Sequence, residues 1–96
     1  MISFPPASDP LVSIVVVAWQ EAPLLMSCLE SVRENVADIS YEVILVLNEP
    51  SPSLLALAQR EVSGATVLPF KSNLGFGGGV NAAASKARYR SLRGRL

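Results

Sequence analysis

Three short apolar runs, each followed by a segment of different period, constrain this chain most. Leu11 to Ala18 is a continuous, β-branched run, the pattern of a strand buried on both faces of a parallel sheet. Leu24, Leu25, Cys28, Leu29, Val32 and Val36 follow at spacings of three and four, which is one face of a helix. Pro23 stands where the first turn of that helix tolerates it. A second buried strand is expected at Tyr41 to Leu47. Ser51 then serves as N-cap and Pro52 as first residue of a helix through Leu54, Leu55, Leu57, Ala58 and Val62, with Gly64 as its stop. Ala65 to Phe70 reads as a third strand. The order β-α-β-α-β-α predicts an α/β fold, a three-layer Rossmann-like parallel sheet with strand order 3-2-1 or its edge-extended equivalent. Ligands of such sheets bind beyond the carboxyl ends of the strands. Three segments therefore matter: Ala18 to Glu21, Leu47 to Ser51, and Lys71 to Asn81.

The third of these holds N-L-G-F-G-G-G-V-N, Asn73 to Asn81, with four glycines in five positions. Between a strand and an alanine-rich helix, such a loop can adopt positive φ and bring backbone N–H groups close to a ligand. Asn73 and Asn81 flank it with amide donors and acceptors. It is not a dinucleotide fingerprint, since Val80 stands where the third glycine of G-x-G-x-x-G from Gly75 would fall. No Gly-Lys-Ser/Thr follows, so it is not a phosphate-binding P-loop either. The residues alone leave two readings open, a ligand loop and a structural turn. At the first strand end, Trp19 offers a stacking face and Glu21 a carboxylate for a ribose hydroxyl; the alternative is a core-capping ring and an acid at a helix start. At the second, Asn48 can bond a base edge or shape a turn.

Composition removes several classes. With 96 residues, half of them apolar and 17% charged, the chain is one small globular unit. A single cysteine, Cys28, excludes an internal disulfide, and with no histidine a cysteine/histidine zinc site is impossible. Cys28 falls on the apolar helix face and reads as core filler. The first ten residues, with Pro5, Pro6 and Pro10, read as an extended, poorly ordered leader lacking the pattern of a secretory signal. The longest apolar run, Ile14 to Trp19, is too short to span a bilayer, so a cytoplasmic protein is expected. All eight acids lie at or before Glu61, whereas six of the eight basic residues follow it, so the two parts carry −6 and +6. The basic tail over 89–96, with Tyr89 its only aromatic, is a poor nucleic-acid surface, but it could touch an anionic membrane at its inner face.

Together, V-S-I-V-V-V-A-W-Q-E (Val12 to Glu21), Y-E-V-I-L-V-L-N-E-P-S (Tyr41 to Ser51) and the glycine segment resemble the amino-terminal half of a family 2 glycosyltransferase of the GT-A fold. The N-x-G-F-G-x-G-x-N form is similar to the rhamnosyltransferase-like members that build bacterial surface polysaccharides. The resemblance implies transfer of a sugar from a nucleotide-diphosphate donor to a glycan or lipid-linked acceptor, with a Mg or Mn cation in the intact family. It places the nucleotide sugar against Ala18, Trp19, Glu21, Asn48, Lys71, Asn73, Gly75, Phe76 and Asn81. Leu47 stands where the family usually has an aspartate that contacts the base. The family's Asp-x-Asp metal motif would close a fourth strand, where this chain has Tyr89 to Leu96 without a carboxylate. The expected organisation is thus a leader over residues 1–10, a nucleotide-sugar-binding half-domain of a truncated GT-A fold over 11–88, and a basic, truncated or frame-shifted tail over 89–96. Such a chain binds donor but is inactive alone, with no catalytic or metal residue of its own. The alternative is a non-enzymatic Rossmann-like binding or interaction module.

Overall fold

The computed structural model describes residues 1–6, 9–20, 22–36, 39–87 and 91–95, the last segment by its backbone. The elements run β1 (Ile2–Ser3), β2 (Val12–Trp19), α1 (Leu25–Asn35), β3 (Tyr41–Asn48), α2 (Pro52–Glu61), β4 (Val62–Ser63), β5 (Ala65–Phe70), α3 (Gly75–Ala84) and β6 (Ser91–Arg95). Four of the strands form one parallel sheet in the order β5-β3-β2-β6. The expected 3-2-1 order is present as β5-β3-β2, and the α/β architecture holds.

The sheet divides the core by residue parity, because successive side chains point to opposite faces. On one face, Ile14, Val16, Ala18, Val43, Leu45 and Leu47 pack against Leu25, Leu29 and Val32 of α1 and Leu54 and Ala58 of α2. On the other, Val15, Val17, Ile44 and Val46 meet Ala83 and Val80 of α3. Every residue of β3 is buried. Cys28 is half-buried against the first of these cores. Helix α2 starts as its sequence dictates, with Ser51 Oγ accepting from the Leu54 N–H at 3.1 Å and Pro52 in the first turn.

Four expectations need correction. The leader is not loose: Ile2 and Phe4 are buried, β1 pairs in parallel with β4, and the Phe4 ring meets Tyr41 edge-on at 6.3 Å. Apolar side chains two residues apart give this short strand a face to bury, which the prolines after it do not disturb. For the same reason α2 stops at Glu61 instead of running to Val62, which turns extended to pair with Ile2. Residues 91–95, read as tail, form β6 alongside Val12–Val16. A parallel ladder there satisfies the outer N–H and C=O groups of β2 whatever the composition of the incoming strand. Arg88, Tyr89, Arg90 and Leu96 lie outside the described residues. Lastly, the glycine run is not a loop: from Gly75 onward it is the start of α3.

Two glycines of opposite consequence test this packing. Gly64 has φ +78, and a Cβ there would collide with the backbone carbonyl of Phe4, just after β1. Gly64→Ala should therefore destabilise the fold by about 1–3 kcal/mol, through the left-handed conformation and the clash with β1. At Gly77 a Cβ would meet nothing within 4 Å, so Gly77→Ala should stabilise by about 0.5–1 kcal/mol. Urea unfolding of the two variants reads both signs; equal effects would contradict the placement of β1. A further outcome concerns pH. Burial raises the Tyr41 hydroxyl above its ordinary value of 10.0, partly offset by the charge of Arg33. The folded state holds that proton where the unfolded chain releases it, so stability is full below pH about 10 and falls as pH climbs above it. The same fall should be smaller in Tyr41→Phe.

Candidate functional site at the carboxyl edge of the sheet

The ends of β2, β3 and β5 lie side by side, because Trp19 is in register with Asn48 and Asn48 with Phe70. Beyond them the backbone is stitched across strands. Gln20 N–H donates to Asn48 O at 3.1 Å, Ser51 N–H to Gln20 O at 3.2 Å, and Glu49 N–H to Phe70 O at 2.9 Å. These bonds hold Gln20 at φ 54° and Glu49 at 48°, and a local bond from Ala22 N–H to Trp19 O at 3.1 Å accompanies Ala22 at 40°, all three without glycine. Such conformations persist where the surrounding structure over-determines them, and they cluster at ligand sites.

Trp19 is 53% exposed, and its Nε1–H donates to Glu49 Oε1 at 3.4 Å. Two open depressions flank the Glu49 carboxylate. One, of about 480 Å³, is lined by Trp19, Gln20, Ala22, Pro23, Glu49 and Ser51. The other, of about 540 Å³, is lined by Glu49, Pro50, Leu55, Pro69, Phe70 and Lys71. Both fall in the size range of small-ligand sites.

The first turn of α3 sits beside them. Asn73 Oδ1 accepts from the Gly75 N–H at 2.8 Å, which fixes the turn into the helix, while Gly75 itself has φ +71. The glycine run divides by role. Gly79 packs on the sheet, and a Cβ there would come within 3.2 Å of the Val17 side chain, so this glycine serves close helix–sheet contact. Gly75 and Gly77 face open space, leaving backbone accessible at the helix start.

Of the residues singled out from sequence, Trp19, Lys71, Asn73, Gly75 and Phe76 are exposed at this edge. Three are placed otherwise. Ala18 is buried on the α1/α2 face. Asn48 is 1% exposed and donates through Nδ2 to Gly75 O at 3.2 Å, so it ties β3 to the start of α3, while its buried Oδ1 has no hydrogen-bond partner among the described residues. Asn81 lies six residues into α3, about 9 Å along its axis from Gly75, and does not flank a loop. Glu21 is outside the described residues. Glu49, missing from the sequence-derived set, stands at the centre of the site. Its only sequence signal is its place between a strand end and the Ser51–Pro52 helix start, where the chain must reverse within two residues. Among the described residues no three histidine, cysteine or acidic side chains come together as a metal cluster. None of the described helices is long and apolar enough to cross a membrane.

Comparison with known proteins gives one match. The sequence model of glycosyl transferase family 2 matches residues 13–92, which takes in all three strand-end segments and the beginning of β6. No curated protein and no solved structure matches the chain. A match over that much of the 96 residues, on a parallel α/β sheet of the expected strand order, shows that the chain belongs to glycosyl transferase family 2.

Proposed function

We propose that the carboxyl edge of this sheet binds the nucleotide part of a nucleoside-diphosphate sugar. The observation that carries this reading is Trp19, an exposed ring at the end of β2, tethered at its indole edge to Glu49 beside a depression of ligand size. An indole face stacks on a base, and the tether limits the ring's rotation, so less entropy is lost when a base docks. Lys71, exposed at the end of β5, offsets part of the diphosphate charge, and the open backbone at Gly75 and Gly77 allows close approach. The proposed service is sugar transfer to a glycan or lipid-linked acceptor in bacterial polysaccharide synthesis, of the rhamnosyltransferase-like kind, at the cytoplasmic side of a membrane that the basic end could touch.

A divalent cation in this family neutralises the diphosphate leaving group, and hard cations take oxygen ligands. Glu49 is the one carboxylate that the described residues place at this edge, so they do not make a cation site by themselves. The role these residues support is donor binding. The alternative, a binding or interaction module without sugar transfer, draws on Gly79, whose packing explains part of the glycine run without a ligand.

Titration calorimetry with UDP and dTDP tests the reading. Trp19→Ala should weaken binding about tenfold, since stacking on an aromatic is worth about 1–3 kcal/mol per base. No binding by the unmodified chain at millimolar ligand would favour the interaction module. Incubated with a donor sugar and manganese or magnesium, the 96-residue chain should release no nucleoside diphosphate. Metal-dependent release, abolished by Glu49→Gln, would place the chemistry at Glu49 instead.

A further inference from the structure

Strand β5 is one edge of the four-stranded sheet, with β3 its ladder partner on one side. Phe70 O accepts the Glu49 N–H, so the polar backbone groups of Phe70 face β3. The N–H and C=O of one strand residue point to the same side, and the side alternates along the strand. Thr66, Leu68 and Phe70 therefore belong to the ladder, while Ala65, Val67 and Pro69 turn their backbone groups outward. The segment A-T-V-L-P-F is rich in strand-forming residues and holds no charged side chain, the common guard of an open edge. Apart from its proline, it has the composition of a strand that pairs with another chain.

Two copies of such an edge meet most fully as antiparallel strands about a two-fold axis. With the axis at Val67, that residue faces its own copy, and Ala65 faces Pro69 of the copy. Outward residues opposed in this way exchange both N–H···O=C bonds. Pro69 has no N–H to give the Ala65 carbonyl, and its ring takes up the space of the bond. Symmetry repeats the fault at the other end of the pairing. An axis at Thr66 avoids the proline but leaves only Ala65 and Val67 of each copy to pair. Upstream, Gly64 at φ +78 turns the chain out of the strand, so this register gains no further residue. Pairing that short is marginal in water. The β5–β3 ladder loses nothing, because the missing N–H lies on the outward side. We infer that the outer edge of β5 is a self-pairing surface, complementary to a second copy of this chain, that Pro69 holds shut.

Sedimentation equilibrium and amide hydrogen exchange on the full chain test this, with Pro69→Thr and Pro69→Ala as variants. Both restore the outward N–H, and neither removes a bond to β3. In the unmodified chain the Val67 amide should exchange freely. Pro69→Thr should raise the weight-average mass about twofold at high micromolar protein and slow Val67 exchange at least about tenfold. Pro69→Ala, of lower strand propensity, should do the same more weakly. Adding Val67→Pro to Pro69→Thr should return the mass to that of the unmodified chain, since it strips the central N–H. An unchanged mass in both single variants overturns the inference. A doubled mass with Val67 exchange unaltered also overturns it, placing the contact elsewhere. So does a Val67 amide already protected in the unmodified chain, because the edge would then be occupied despite the proline.

Discussion

Burial of β3 on both faces is the constraint on which the rest of the structure depends. All eight of its residues are inside, so it can pair only as a central strand, with β2 on one side and β5 on the other. A parallel pair cannot be joined by a tight turn, so each connection must cross a face as a helix. The run Tyr41–Asn48 therefore determines much more than itself. It forces α1 and α2 onto one face and leaves the other to α3. Register is fixed near the amino-terminal end, where Ser13 Oγ donates to the buried Glu42 carboxylate at 2.6 Å across aligned positions. A slip of one residue would break this bond and turn every apolar side chain to the wrong face.

That register is what assembles the site. Aligned at Ser13 and Glu42, the strands end together at Trp19, Asn48 and Phe70. Residues just beyond these ends have no ladder partner of their own and are tied across to neighbouring strands, at the cost of left-handed backbone at Gln20 and Glu49. The strain is local and the ties that hold it come from the rigid sheet, so the depressions beside Glu49 exist before any ligand arrives. Preformed geometry of this kind lowers the ordering cost of binding.

Much of the scaffold was legible in the residues. Continuous β-branched runs and three-and-four spacing specify β2, β3, β5, α1 and α2, and Ser51–Pro52 specifies the start of α2 to the residue. What was not legible depends on contacts remote in sequence. Burial of Ile2 and Phe4 requires Val62 and Tyr41 to be in place first, and β6 requires a vacant edge of β2. Glycine content argued for a loop at 75–79, yet packing on Val17 and Val46 holds it in a helix, with Gly79 as the contact point. At the site, Trp19 was visible as an aromatic at a strand end. The burial of Asn48 is not legible, because its sequence neighbours do not reveal that Gly75 O lies beside it, and neither is the place of Glu49, because its positive φ arises with a cross-strand bond.

The central claim is that nucleotide binds at this carboxyl edge. Trp19 is the only tryptophan in the chain, so its indole N–H gives a single, unambiguous NMR signal. Titration of the isotope-labelled protein with UDP should shift that signal together with the backbone amides of Glu49, Gly75 and Gly77, while Ser13 and Glu42 at the opposite end stay unmoved. Shifts confined to the Ser13–Glu42 end, or an indole signal unchanged at saturating nucleotide, would contradict the account.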